Sequence, residues 1–502
     1  MRKKLFLACF LRILAIAFLL RIILPMGNNF YFTMDQGLDS VAVREIWFRG
    51  QIPLKGPPTG IEGFYTGPLW YWLKAPLYIL SGGHPFAGVF LLILLNVTLT
   101  GILAWKLAKK ISPGVGLIVG FSLQFFWWFY DTSRYAFHPF LLVFLAGVEI
   151  LLLIDFLEGQ TNRYWWAAVP VGLVFHTEMA VVPIFVVFYL LVGIWTWWRR
   201  QINWKILLFG LMTVGLFLLP HLVSELTSGF VQAKALQRQL LEPAGVYSQT
   251  SFRLMSSKFA AMIVDSVIPQ NSKLALPLAL IIILFLVKRK IGKFTRNFVI
   301  LSLTLFLLSW LWFSTNKGWQ TWHIVYLPTL LFISILLLVF SLPGKIRWLL
   351  WSIIFIAQAI FFLNLYLKFL HLGSDPSLLK NELGAIDWVY QKSKGQGFYV
   401  YNYLPSVLDY PYQYLFWWWG RQKYGYVPCE YSSFPGTPNL FIPGEKYYQT
   451  PQRECSQWRF LIIEPDKNLT VQSQWLAGTR RGTKLLEETN IGRIRVEKRL
   501  IF

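Results

Sequence analysis

Two aspartates four residues apart, Asp35 and Asp39 in Met34-Asp-Gln-Gly-Leu-Asp-Ser-Val-Ala-Val-Arg-Glu-Ile, are the first residues whose types and spacing suit chemistry. On a helix, positions i and i+4 share a face, so both carboxylates would look into one space. A carboxylate beside an acceptor hydroxyl can take its proton as the hydroxyl attacks. The spacing equally suits a solvated helix start, with Asp35 as the N-cap and Arg44 and Glu45 as surface charges. The run that follows, Lys55-Gly-Pro-Pro-Thr-Gly-Ile-Glu-Gly-Phe-Tyr-Thr-Gly-Pro-Leu-Trp-Tyr-Trp, is dense in glycine and proline. Backbone of that kind beside an acid permits close approach to a ligand, and it also permits tight loop packing.

The elements that must position these residues are membrane helices. The chain of 502 residues is 55% hydrophobic with only 14% charged residues, well below the roughly 25% of soluble domains. A net charge of +23 in a soluble protein would suggest nucleic acid. Here the basic residues cluster in short connections between apolar runs, where they report topology instead. Trp127–Trp128, Trp165–Trp166 and Trp197–Trp198 fit aromatic belts at the membrane surface. At about 20 apolar residues per crossing, the sequence predicts about eleven spans. They cover 5–26, 86–107, 113–130, 136–157, 164–178, 180–198, 204–223, 272–288, 297–314, 321–342 and 347–369. The first run could also be a cleavable signal peptide; Arg12 interrupts it and no small-residue cleavage site follows, which favours an uncleaved span.

Connections 1–4, 106–110, 198–205, 288–296 and 345–347 are rich in Lys and Arg, and 161–163 is weakly basic. These segments are expected inside, which puts the C-terminus outside a multi-pass protein of the plasma (inner) membrane. The expected fold class is an all-α polytopic membrane protein with a small α/β exterior C-terminal domain. The expected domains are 1–370 and 371–502, with long outer loops at 27–83 and 227–272. In the first loop, the stretch 68–78 reads as an amphipathic segment lying in the interface plane. In the tail, 398–401, 458–463 and 493–499 read as strands and 378–392 as a helix.

Polar residues gather at the expected outer face. Arg134 and His138 follow the third span, where snorkelling or helix capping would also account for them. His176 and Glu178 lie at the outer end of the fifth span, where burial is costly unless they pair or line a polar cavity. Lys317, His323 and Tyr326 flank the loop before the tenth span, and their donors could hold an anionic group. His221 and Glu225 close the seventh span without an assignable role. Glu149 sits deep in the fourth span, a position that favours a transporter reading. Cys429 and Cys455 lie in the tail, where an oxidising exterior is compatible with a disulfide. The aromatic run 410–419 suits sugar stacking, a domain core or a seat on the membrane.

The sequence resembles the membrane glycosyltransferases of the GT-C superfamily, specifically the bacterial family 39 group related to protein mannosyltransferases and lipid A aminoarabinose transferases. Members carry an Asp paired with an acid or Gln after the first span, then Gly-Pro-Pro-Thr-Ser-Ile-Gly-Gly-Phe-Tyr and Gly-Pro-Leu-Tyr-Tyr. Here these appear as Asp35-Gln36 and as residues 56–71, including Gly56, Pro57, Pro58, Thr59, Gly63 and Tyr65. Weaker similarity extends through Ser133-Arg-Tyr-Ala-Phe-His-Pro, Phe175-His-Thr-Glu, 220–230, 316–328 and Tyr412-Gln-Tyr-Leu-Phe-Trp-Trp.

The resemblance implies inverting transfer of a sugar from a polyprenyl-phosphate donor to a glycan, lipid or protein acceptor at the outer face. It places Asp35 as general base, with Asp39 the local alternative. On that reading Arg134, His138, His176, Glu178, Lys317, His323 and Tyr326, from their place at the outer face, are the candidates for donor or phosphate binding, and the 56–65 loop is the candidate for shaping the site. Relatives often carry Asp or Asn where His138 stands, so a divalent metal stays open. No nucleic-acid partner is expected. The competing class is a transporter or lipid-linked sugar flippase, whose polar residues should line mid-membrane positions on discontinuous helices.

Overall fold

The computed structural model describes residues 3–241, 252–286, 290–315, 320–405, 408–436, 442, 445–448 and 453–502. Among the described residues, seven helices are long and apolar enough to cross a membrane: Lys3–Asn28, Phe86–Lys110, His138–Leu157, Met179–Trp198, Lys293–Ser314, Thr321–Phe340 and Gly344–Leu370. Two further runs are bent. Trp204–Leu216 turns by 50° into Leu219–Ser228, and Phe252–Val267 turns by 74° into Ser272–Ile283. Pro220 and Pro269 stand at those breaks, each lacking the N–H that would continue the helical ladder. The runs expected at 113–130 and 164–178 form shorter helices, Pro113–Gln124 and Arg163–Val174. The outer segment expected at 227–272 holds two helices, Val231–Leu241 and Phe252–Val267, the second being half of a bent pair. Its stretch 242–251 lies outside the described residues.

The chain divides into two compact units. The first comprises 1–23, 54–70 and 90–367. Its core is a continuous apolar packing of helix faces in which small residues admit large ones. The hydroxyls of Tyr164 and Tyr189 sit where a Cβ on Gly193 or Gly210 would lie 2.0 Å away. The two rings stack at 4.3 Å, and the Tyr189 hydroxyl donates to the Tyr164 carbonyl at 3.1 Å. At one end, Lys106 pairs with Asp155 and Lys110 with Glu158. The basic connection 106–110 is thus partly neutralised by acids from the neighbouring helix. Glu149 is fully buried, and among the described residues neither of its carboxylate oxygens has a hydrogen-bond partner.

The second unit comprises 24–53, 71–89 and 368–502. It carries strands β1 (Gly397–Tyr403), β2 (Glu430–Ser432), β3 (Cys455–Ile463), β4 (Thr483–Ile491) and β5 (Ile494–Ile501). They form one sheet in the order β2-β1-β3-β5-β4. β1 runs parallel to β2 and β3, whereas β5 is antiparallel to β3 and β4. Alternation along β1 and β3 divides the packing: Phe398 and Phe460 meet Tyr390 and Trp388 of the Leu379–Ser393 helix on one face. Tyr401, Tyr403, Leu461 and Ile463 meet Trp475 of the Leu469–Arg480 helix on the other. A disulfide joins Cys429 to Cys455. The aromatic run is a helix, Tyr410–Trp419, buried almost throughout, so of the three readings offered for it the domain core is the one observed.

Candidate functional site

In the second unit, the helix Met34–Arg49 starts at Thr33, whose backbone N–H donates to the Gln36 side chain at 2.9 Å in a capping box. Asp35 is therefore the second helical residue, correcting its assignment as the N-cap. Asp35 is partly exposed, whereas Asp39, one turn on, is buried. The Lys74 ammonium meets Asp39 Oδ2 at 3.0 Å, with side-chain exposures of 0% and 3%. Burial pushes the Lys74 ammonium down from its ordinary range, and the Asp39 charge opposes that shift. Next to this pair, the Ser40 and Tyr78 hydroxyls are 2.7 Å apart. Across the helix, a Cβ on Gly37 would lie 2.3 Å from the backbone nitrogen of Pro411, so only glycine permits this approach.

Arg44 and Glu45 are not the surface charges expected of a solvated helix. Arg44 is fully buried with its guanidinium 3.4 Å from the centre of the Tyr448 ring and 5.1 Å from that of Trp417. Glu45 is bound by Arg49 and by the Tyr448 hydroxyl. Aromatic faces accept the arginine through their quadrupole, which the linear spacing of the two charges does not reveal.

In the first unit, the glycine- and proline-rich loop is a narrow hairpin. Gly56 N–H donates to Thr66 O at 2.8 Å, Thr66 N–H to Pro57 O at 2.9 Å and Thr59 N–H to Phe64 O at 2.9 Å. Pro58 bridges Tyr65, and Gly63 takes φ +81° at the turn, the left-handed region glycine enters at no steric cost. Lys55 lies 5.3 Å over the Tyr65 ring. The loop rests on the helix Val231–Leu241 through Tyr65 N–H, which donates to Gln232 Oε1 at 3.0 Å. Glu225 caps that helix by accepting from the backbone N–H groups of Gln232 and Ala233, which gives it a structural role.

Gly67 N–H donates to Phe175 O at 3.0 Å, which brings the loop against the 175–178 turn. His176 Nε2 lies 2.8 Å from Phe217 O. A carbonyl only accepts, so Nε2 carries the proton, and the buried Nδ1 has no hydrogen-bond partner among the described residues. His323 Nδ1 accepts from Gln320 N–H at 3.1 Å, so its Nε2 proton faces Glu178 Oε1 at 3.7 Å. Glu178 also accepts from Ala180 N–H at 3.3 Å. Trp322 packs edge-on against Phe137 at 5.6 Å, joining this turn to the segment that holds His138.

The hairpin, His176, Glu178 and His323 thus gather at one end of the first unit, with Phe137 and His138 adjoining. Arg134 is held by Asp131, which accepts from Nε at 2.9 Å and Nη2 at 2.7 Å. Tyr326 points into the core, its hydroxyl 2.8 Å from Ser309 Oγ. Lys317 lies outside the described residues. Sequence reasoning missed Lys74, Ser40, Tyr78 and Gln232. Only Lys74 left a trace, as a lone cation in the apolar stretch 68–78. Among the described residues, no three His, Cys, Asp or Glu side chains are grouped to hold a metal ion.

Two solved structures share this fold. ArnT from Cupriavidus metallidurans bound to undecaprenyl phosphate aligns with a TM-score of 0.62 and 13% identity, covering 99% of this chain and 97% of that one. The apo state of ArnT from the same organism aligns with a TM-score of 0.61 and 14% identity over the same shares. No family model and no curated protein matches the sequence.

Proposed function

We propose that this chain is an inverting glycosyltransferase that moves a sugar from a polyprenyl-phosphate donor to an acceptor at the outer face of the membrane, with Asp35 as general base. The observation that carries the reading is the burial of Asp39 against Lys74, which leaves Asp35 as the partly exposed acid of the pair. A fold shared with ArnT, solved with undecaprenyl phosphate, supports a lipid-phosphate donor. The disulfide in the C-terminal domain suits an oxidising exterior.

In this reading Asp35 accepts the proton of the acceptor hydroxyl as its oxygen attacks the anomeric carbon. The bond from that carbon to the phosphate oxygen breaks on the opposite side, inverting the configuration. The departing phosphate keeps the electron pair, and its charge is met by donors in a site poor in water. His323 Nε2–H, Arg134, His138 and Lys317 are the donors proposed for it. Glu178 orients His323, and His176 fixes the hairpin whose residues 56–65 shape the sugar site.

The test is a donor panel. Membranes carrying the protein should transfer label from at least one undecaprenyl-phosphate sugar into a lipid, glycan or protein fraction. Transfer from none of the panel would contradict the proposal. The buried Glu149, whose carboxylate oxygens have no hydrogen-bond partner among the described residues, is an observation that favours a transporter or flippase instead. On the enzyme reading, Glu149→Gln leaves the transfer rate within about 2-fold; on the transporter reading it abolishes flux.

A further inference from the structure

The Met34–Arg49 helix is fixed on opposite sides within a single turn. Asp39 is bound by Lys74 at 3.0 Å, Ser40 by Tyr78 at 2.7 Å, and Gly37 abuts the Pro411 backbone. We infer that Lys74, through its buried ion pair with Asp39, is a positioning residue that sets the rotation of this helix and so the aim of Asp35. The inference rests on the reading of Asp35 as general base.

Geometry makes the coupling direct. Asp35 and Asp39 are four residues apart on one helix and share a face. Rotation about the helix axis that swings Asp35 away must pull Asp39 off a cation whose side chain is fully buried. Two attachments at consecutive residues, one ionic and one hydroxyl to hydroxyl, resist sliding as well as rotation. A buried ion pair is a poor choice for stability alone, because apolar residues of similar volume hold two helices together at least as well. An apolar contact, however, tolerates small slips that a directional 3.0 Å ion pair does not. A displacement of about 1 Å in a reacting group costs on the order of 100-fold in rate.

The experiment compares Lys74→Met and Asp39→Leu/Lys74→Met in the full-length, detergent-purified protein. Transfer is read from whichever undecaprenyl-phosphate sugar the donor panel selects. Lys74→Met leaves Asp39 buried without its partner, so kcat should fall about 100-fold with the donor KM unchanged. The double variant removes both charges; it should fold as well as wild type yet remain at least about 10-fold low in kcat, again with donor KM unchanged. A double variant with wild-type kcat would show the pair to be packing only and overturn the inference.

Where the single variant does not fold, the double variant decides. Where neither folds, labelling of native protein with a water-soluble carbodiimide and an amine nucleophile decides instead. Modification of Asp35 with Asp39 untouched supports the inference, and equal modification of both defeats it. Full activity of Asp35→Asn would instead defeat the general-base reading, and the two failures are thereby distinguished.

Discussion

Gly67 lies so close to His176 that a Cβ on it would sit 2.0 Å from the imidazole Nδ1. The contact is fixed from both sides, since Gly67 N–H is bound to Phe175 O and His176 Nε2 to Phe217 O. Gly67→Ala must therefore displace either the hairpin or the ring. We expect a stability loss of about 1–3 kcal/mol, the usual cost of overpacking, and at least about a 10-fold drop in transfer per folded molecule. Thermal unfolding and initial rates measured on the same preparation check this.

His323 presents its Nε2 proton beside Glu178 while Nδ1 is held by Gln320 N–H. If that proton contacts the lipid phosphate, His323→Ala removes one charge-assisted hydrogen bond, worth about 1.5 kcal/mol. The expected result is a rise of about 10-fold in the Kd for undecaprenyl phosphate, measured by titration in detergent. An unchanged Kd would remove His323 from the phosphate site.

The Cys429–Cys455 bridge closes a sequence separation of 26 residues. Chain entropy predicts that Cys429→Ser/Cys455→Ser costs about 3.5 kcal/mol of stability. The bridge also reports topology. A thiol reagent that cannot cross membranes should label these cysteines in intact cells after mild reduction, whereas labelling confined to lysed cells would put the C-terminal domain inside.

Asp409, buried at the start of the Tyr410–Trp419 helix, is raised by burial from an ordinary 3.8 to about 6, against hydrogen bonds from Gln413 and Asn402 that favour the anion. A carboxyl whose folded pKa is raised binds more protons in the folded state than in the unfolded one between pH 4 and 6. Its contribution to stability is present at low pH and is lost as pH rises through that window. Asp409→Asn should therefore gain on wild type between pH 5 and pH 7, by about 1–2 kcal/mol. Denaturant unfolding at the two pH values reads the difference, and a pH-independent gap would contradict the assignment.

The spans were legible because a membrane helix is a long apolar run and little else competes with that pattern. Where helices came out short or bent, the cause is local: Pro220 and Pro269 break the ladder, and Pro113–Gln124 stops within the apolar run 113–130. The C-terminal sheet was half legible. β1, β3 and β5 carry apolar residues at alternating positions, whereas β2 is only three residues long and β4 is an exposed edge strand rich in polar side chains. The roles of Asp35 and Asp39 could not be separated from their spacing, because what separates them is Lys74, which lies 35 residues beyond Asp39. Arg44 was misread for the same kind of reason, since its aromatic partners Trp417 and Tyr448 come from far along the chain.

The most direct test of the account is the rate of sugar transfer by Asp35→Asn, measured with the donor that the panel identifies and normalised to folded protein in the membrane. Asparagine preserves shape and helix start but cannot take a proton. The account predicts a loss of at least about 1,000-fold, within the range a positioned general base supplies, with undecaprenyl phosphate binding unchanged. Transfer at the wild-type rate would contradict it.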